Sequence, residues 1–318
     1  MKAMRLHEIG AALTADEVEV PPPGPGEVAI RVAACGVNFA DTLMQSGRYQ
    51  EKPALPFAPG LEVAGVIETV GADVDLSTGT RVAALCGSGG MAEVTIAPAV
   101  TCVVLPDAME MTAAAGLQVA YGTGHVALAH RARLEPGERL LVLGAAGGTG
   151  LAAVEVGALM GAEVIAVARG AERLATAKAA GAHHVIDSED GDLRERVKAL
   201  GGADVVYDPV GGEQWKAALR AANPEARLMP IGFASGEVPQ IPANILLVKN
   251  LDVIGFYWGA YYKFRPQVLT ESFRQLIAWV EGGRLSPRIG HVLPLDQAND
   301  ALALLAERRA TGKVVLTP

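Results

Sequence analysis

At 318 residues, half of them hydrophobic and 19% charged, the chain is long enough for about two domains with a large core. The formal charge of −8 is mild and spread out, so no basic stripe argues for nucleic acid and no Lys/Arg block for an anionic membrane. No apolar stretch is long enough to span a bilayer, the start lacks the apolar core of a signal peptide, and the three scattered cysteines (Cys35, Cys86, Cys102) fit reduced thiols in a cytoplasmic protein.

The first third is β-rich. Met1–Met4 and Val18–Val20 are short strand candidates, and the Pro/Gly turn at 21–26 leads into Glu27–Cys35, which alternates as a half-buried strand should. Asp41–Gln45 reads as one or two helical turns. Val63–Val70, Thr80–Leu85, Met91–Ile96 and Thr101–Leu105 are further strands with Gly/Pro punctuation and no helix between them, the pattern of a compact, barrel-like domain. Thr112–Leu128 is Ala-rich and helical, broken by glycines.

The centre of the chain is organised around Gly144-Ala145-Ala146-Gly147-Gly148-Thr149-Gly150. An apolar run, Arg139–Leu143, precedes it, and a helical stretch, Leu151–Met160, follows. Strand, glycine turn and helix are what a dinucleotide-binding turn needs: a pyrophosphate must approach backbone N–H groups that a side chain would block, at a helix N-terminus of partial positive charge. Strands then alternate with helices: Glu163–Ala168, His184–Asp187, Asp204–Asp208, Arg227–Gly232 and Leu251–Phe256 are near-continuous apolar runs, with helices between the earlier ones. Such runs mean a parallel sheet covered on both faces, a Rossmann-type doubly wound α/β domain over residues 120–257. After it, Pro266–Val280 is an amphipathic helix, His291–Leu293 a strand, Leu295–Arg309 a helix with one buried face and Val314–Leu316 a last strand. The tail is expected to return to the β-rich domain, making that domain discontinuous, 1–119 with 258–318.

This arrangement resembles the medium-chain dehydrogenase/reductase superfamily, and within it the zinc-independent quinone oxidoreductases related to zeta-crystallin. The stretches carrying the resemblance are Gly36–Thr42 (GVNFADT), Pro59–Gly65 (PGLEVAG), the Gly144–Gly150 turn, Val206–Gly212 (VYDPVGG) and Arg309–Lys313 (RATGK). It implies a Rossmann sheet inserted into a GroES-like catalytic domain. It also implies loss of catalytic zinc. Where the zinc alcohol dehydrogenases carry their ligands, this chain has Asn38, Leu61 and a residue near Val119, and zinc needs three protein ligands. Without a Lewis acid, hydride delivery to an electron-poor acceptor is the favoured chemistry.

For the cofactor, an NAD-preferring sheet carries an acid at the end of its second strand. Here Val167-Ala168 is followed by Arg169-Gly170, with Arg173 beyond; guanidinium groups suit a 2′-phosphate, so NADPH is the expected cofactor, held at Ala146, Gly147, Gly148, Thr149 and Gly150. The alternative is that both arginines are solvated residues near a helix start. By resemblance, Arg173 and Arg309 match phosphate-contacting positions, and Ser188 replaces a tyrosine of some relatives. Asn38, Asp41, Tyr49 and Thr123 match cleft-lining residues, and Ile231, Phe233, Phe256 and Tyr257 should border the nicotinamide. Asn38 and Tyr49 can each donate a hydrogen bond to an acceptor oxygen; Asp41 either joins them or caps its helix, Tyr49 is otherwise rim packing, and Phe256, Tyr257 and Trp258 are otherwise interdomain core. The implied activity is NADPH-dependent reduction of quinone-type acceptors. Reduction of α,β-unsaturated carbonyls is the second enzymatic reading, and an NADPH-binding sensor or structural protein the non-enzymatic one. A homodimer through the sixth strand is expected, because an apolar sheet edge is a liability unless paired.

Overall fold

The computed structural model describes residues 1–318. It begins with β1 (Lys2–Arg5), paired antiparallel with β2 (Thr14–Glu17). The second strand thus lies before Val18–Val20: Pro21–Pro23 carry no amide hydrogen, and the segment leaves the ladder after Val18, whose amide reaches the Met1 carbonyl. β3 (Glu27–Val37), α1 (Phe39–Gln45), β4 (Glu62–Val70), β5 (Arg81–Leu85), β6 (Val94–Pro98), β7 (Val103–Val104) and α2 (Met111–Ala115) follow, then α3 (Gln118–His125) and a π-helical stretch, Val126–Ala132.

The next elements alternate as the sequence pattern predicts: β8 (Arg139–Val142), α4 (Gly148–Leu159), β9 (Glu163–Ala168), α5 (Ala171–Ala179), β10 (His184–Asp187), α6 (Leu193–Ala199), β11 (Ala203–Asp208), α7 (Gly212–Ala221), β12 (Ala222–Pro230), α8 (Ala243–Lys249) and β13 (Asp252–Val253). All five pairings of this sheet are parallel, in the order β10-β9-β8-β11-β12-β13, which is the doubly wound order. β8, β9 and β11 are buried on both faces because helices cover both. Leu141, Leu143, Ile165, Val167, Val206, Trp215 and Leu228 form the core, and burying each fully contributes about 1.5–3 kcal/mol. The sixth strand is shorter than Leu251–Phe256, since β12 ends at Pro230 and only Asp252 and Val253 find strand partners, Arg227 and Leu228. Helix α8 carries no sequence signal that marked it; Leu247 and Val248 on it are exposed.

The tail adds α9 (Tyr261–Phe264), α10 (Pro266–Glu281), β14 (Ile289–Pro294), α11 (Ala298–Ala306) and β15 (Lys313–Thr317). β15 inserts between β14 and β3, so the last strand belongs to the first sheet, ordered β14-β15-β3-β4-β5-β7. The long strand β3 gives its first half to β6 and its end to β15, and bulges at Ala29/Ile30 and Val32/Ala34 bend it. Asn299 of α11 ties the tail further, accepting from the Leu13 amide and donating to its carbonyl, both at 2.9 Å.

By compactness the chain forms two units, Met1–Val119 with Ile277–Pro318, and Ala120–Leu276. The second boundary differs from the expected 257/258. Residues 258–276 pack on the nucleotide unit: Tyr261 and Leu269 share a buried cluster with Val126, and the Ser272 hydroxyl meets His125 Nδ1 at 2.9 Å. No helix is long and apolar enough to cross a membrane.

Candidate active site

In the nucleotide unit the winding of the sheet reverses between β8 and β11, and the glycine turn leaves the carboxyl end of β8 at that point, where open α/β sheets form a ligand crevice. Gly150 is required by close approach, since a Cβ on it would stand 2.2 Å from the Gly144 carbonyl oxygen. Gly147 caps α4 and is exposed, and the nearest atom to a Cβ there would be that same oxygen at 3.4 Å. The first-turn amides of α4 and the positive end of its dipole therefore stand at a surface free of side-chain bulk, which suits a phosphate. Ala145 and Ala146 are buried beneath. Asp208, ending β11, shapes the neighbouring Pro209–Gly212 turn: its Oδ1 accepts from the amides of Val210 (2.6 Å) and Gly211 (2.9 Å). Its Oδ2 is buried without a partner, and burial pushes the carboxyl up to about 6 despite those two amides.

At the end of β9, Ala168 gives way to Arg169 and to Gly170 (φ 83°), with no acid at the position where ribose hydroxyls would be accepted. The acid nearby, Asp187, spends itself on the backbone, accepting from the amides of Gly170 and Glu189, each at 3.0 Å. Arg169 is half-exposed beside Glu189 at 3.7 Å, and the Ser188 amide bonds the Ala168 carbonyl at 2.9 Å. Arg173 stands in the first turn of α5. The structure thus brings Arg169 and Ser188 to adjacent strand ends. Of the expected nicotinamide neighbours in this unit, Thr123 is buried on α3, Ile231 donates its amide to the Asp208 carbonyl (2.7 Å), and Phe233 and Tyr257 are exposed. Phe256 packs against the Tyr261 ring at 5.9 Å, and the Trp258 ring lies against Gly122. Phe256 and Trp258 therefore contribute to packing inside the nucleotide unit.

In the β-rich unit, Asn38 (8% exposed) and Asp41, Glu62 and Lys313 (all 5% or less) form one polar cluster. The Lys313 ammonium lies 2.6 Å from Glu62 Oε1 and donates to Asn38 Oδ1 at 2.5 Å and to the Val37 carbonyl at 3.2 Å. The Asn38 amide nitrogen donates to Glu62 Oε1 (2.9 Å) and to the Gly36 carbonyl (3.3 Å), and Glu62 Oε2 accepts the Val119 amide at 2.8 Å. A cation on one side and a carboxylate on the other fix the amide's orientation, because Lys only donates and a carboxylate only accepts. Both Asn38 N–H groups are thus engaged internally. The donor role expected for Asn38 toward an acceptor oxygen is not what this geometry provides. Asp41 takes the capping role: its Oδ2 accepts from the Asn38 amide (2.7 Å) and its Oδ1 from the Gly60 amide (2.9 Å), while burial pushes its carboxyl up to about 6. Tyr49 is half-buried against the same core. Burial, with Asp41 next, holds the Cys35 thiol well above its ordinary value, so it offers no thiolate. Glu62 lies within the PGLEVAG stretch and Lys313 ends the RATGK stretch, and no spacing in the sequence marks them as partners. The available signal was a single charge at the head of each of two apolar strands. Arg309 pairs with Glu307 at 2.7 Å on the exposed surface.

Residues 24–107 match the alcohol dehydrogenase GroES-like domain and residues 148–281 the zinc-binding dehydrogenase domain. A quinone oxidoreductase-like protein 2 homolog of Nematostella vectensis is 42% identical over 99% of this chain and 88% of its own length. The chain belongs to the quinone oxidoreductase family. Among solved quinone oxidoreductases, that of Thermus thermophilus, determined alone and with NADPH, is 36% identical with a TM-score of 0.89, and that of Escherichia coli, complexed with NADPH, is 29% identical with a TM-score of 0.92; each covers both chains fully. The zinc implied by the name of one domain does not fit this member of the family. Asn38 and Leu61 stand where the resemblance puts two of the ligands, no group of three His, Cys, Asp or Glu could hold a metal, and the Lys313 ammonium sits against Asn38 and would repel a cation.

Proposed function

We propose that the chain is an NADPH-dependent, zinc-free reductase that transfers a hydride to quinone-type acceptors. The observation that carries this reading is the glycine turn at the start of α4 combined with arginine in place of an acid after β9. The NADPH complexes of the family's solved members support it. In this reading Ala146, Gly147, Gly148, Thr149 and Gly150 receive the pyrophosphate. Arg169 and Arg173, with Ser188 and Arg309, hold the 2′-phosphate by charge-assisted hydrogen bonds. Thr123, Ile231, Phe233, Phe256 and Tyr257 border the nicotinamide. When bound, the reduced nicotinamide supplies the hydride. Tyr49 donates to the acceptor oxygen as negative charge develops there. Asp41 and the Lys313–Glu62 pair hold the Asn38 segment in place and do not touch the acceptor.

We further propose a cytoplasmic homodimer joined through β13. This strand is at the sheet edge, and the exposed Leu247 and Val248 of α8 precede it. Light scattering of a monomer at micromolar concentration would sink the dimer.

The test follows the loss of reduced-nicotinamide absorbance with an ortho-quinone and a 2-alkenal in parallel, each with NADPH, NADH and a chelator. Quinone turnover with NADPH that ignores the chelator is the expected result. Turnover of the alkenal alone would replace the acceptor class, and a chelator-sensitive rate would overturn the zinc-free reading.

A further inference from the structure

At the amino ends of β11 and β12, opposite the strand ends that carry the glycine turn, the chain builds a second polar hollow. Gly201 and Gly202 lead into β11, and Ala221–Pro224 carry α7 into β12; together with one face of α6 and the end of α8 they line a cavity of about 420 Å³. Four cations line it, Arg194, Lys198, Arg220 and Lys249, and no carboxylate does. In a chain of net charge −8 this is a concentrated positive site.

The obvious structural role accounts for only part of the cluster. Lys249 Nζ donates to the carbonyls of Arg220 (3.0 Å) and Ala222 (2.5 Å), satisfying the end of α7. Arg194, by contrast, sits in the first turn of α6, the wrong end of a helix for a cation. Its Nε is buried with no hydrogen-bond partner, Glu195 Oε1 standing off at 3.5 Å. Burial first, and then Lys198 and Arg194, lowers the Lys249 ammonium below its ordinary value, so the cations feel one another across the hollow. Gly202 keeps the wall thin: a Cβ there would stand 2.0 Å from Asn223 Oδ1, whose amide is fixed by donation to Asp204 at 2.7 Å. Glu195, within 4.0 Å of Lys198 as well, offsets one charge, and the carboxyl ends of α6, α7 and α8 offset about half a charge each, leaving about one and a half positive charges unbalanced, close to the charge of a phosphate monoester.

We propose that this hollow binds a phosphate-bearing anion of about two negative charges, at a site separate from the glycine turn. The site is independent of the redox reading and stands or falls without it.

The probe is inorganic pyrophosphate, titrated calorimetrically into the full-length protein at low ionic strength, with and without saturating NADPH. We expect binding that NADPH leaves in place, that weakens with added salt, and that weakens about tenfold or more in the Arg194→Gln/Lys198→Gln double variant. These residues are half-exposed, and an unchanged melting temperature verifies the fold. Arg220→Gln gives a second, independent reading of the same loss. Absence of binding, displacement by NADPH, or full affinity in both variants would overturn the proposal. Vesicles containing phosphatidic acid form the second arm: if they sediment the wild type and not the double variant, the phosphate belongs to a lipid, and if pyrophosphate alone binds, to a soluble ligand.

Discussion

Around Asn38 the β-rich unit buries its polar groups and turns them on one another, whereas at its glycine turn the nucleotide unit leaves backbone uncovered. Around Asn38, a lysine, a glutamate, an aspartate and an amide are nearly solvent-free, and each finds partners at hydrogen-bonding distance. At the start of α4 the exposed Gly147 leaves the backbone open, with the Gly144 carbonyl oxygen the one atom near its Cβ position. The difference teaches that a conspicuous polar cluster is not necessarily where substrate is met. A fully satisfied buried network rigidifies a loop but has no donor left to offer, whereas a surface stripped to backbone keeps its N–H groups for a ligand.

Lys313→Met tests the closed network most severely. It leaves the Glu62 carboxylate buried without its cation, and we expect a loss of about 3–5 kcal/mol in denaturant unfolding, partly recovered by adding Glu62→Gln. A loss below about 1 kcal/mol would mean the pair is better hydrated than its burial implies. Tyr49→Phe sharpens the contrast from the other side. In the proposed reaction Tyr49 donates to the developing oxyanion, so kcat should drop about 100-fold with little change in melting temperature; an unchanged kcat with the best quinone would remove Tyr49 from the reaction. Arg173→Ala should cost about tenfold in KM for NADPH and nothing for NADH, erasing the preference between them.

The smallest effect concerns Asp208. Its carboxyl is raised from 3.8 to about 6 in the folded chain, so the folded state holds the proton more tightly than the unfolded one. Stability from this group is complete below its unfolded value and lost as pH rises through about 6. Asp208→Asn keeps the acceptor for the Val210 and Gly211 amides and removes the ionisation. The variant should match wild type near pH 4 and melt higher at pH 7. Asp41, also raised to about 6, keeps part of the slope in place.

The nucleotide unit was the more legible half because its signals are local. Apolar runs at strand length, separated by helical stretches, name β8 to β12 from sequence alone, and the glycine turn announces its own geometry. The short β13 and the helix α8 were harder, since seven residues with exposed Leu247 and Val248 carry no amphipathic period. In the β-rich unit the strands were readable but the cluster was not. Whether Asn38 points its N–H groups outward or inward depends on Glu62 and Lys313, which come from distant segments and meet only after β3, β4 and β15 are in register. Residues 258–276 pack with the nucleotide unit for a reason of the same kind, because Tyr261, Leu269 and Ser272 are placed by tertiary partners on α3 and the π-helical stretch.

The position of β15 also sets an order of assembly. The nucleotide sheet is made of successive segments, so each strand finds its neighbours soon after it is synthesised. The first sheet cannot be finished until residues 313–317 arrive to sit between β14 and β3. Closing so long a loop is slow in an open chain and far easier once the intervening segment has already collapsed into a folded body that shortens the effective path. Folding should therefore run from the middle of the chain outward, with β15 and the end of β3 that it pairs with completed last. In pulse-labelled hydrogen exchange during refolding, amides of β8, β9 and β11 should gain protection before those of β15. Simultaneous protection would show that the two sheets form in one step.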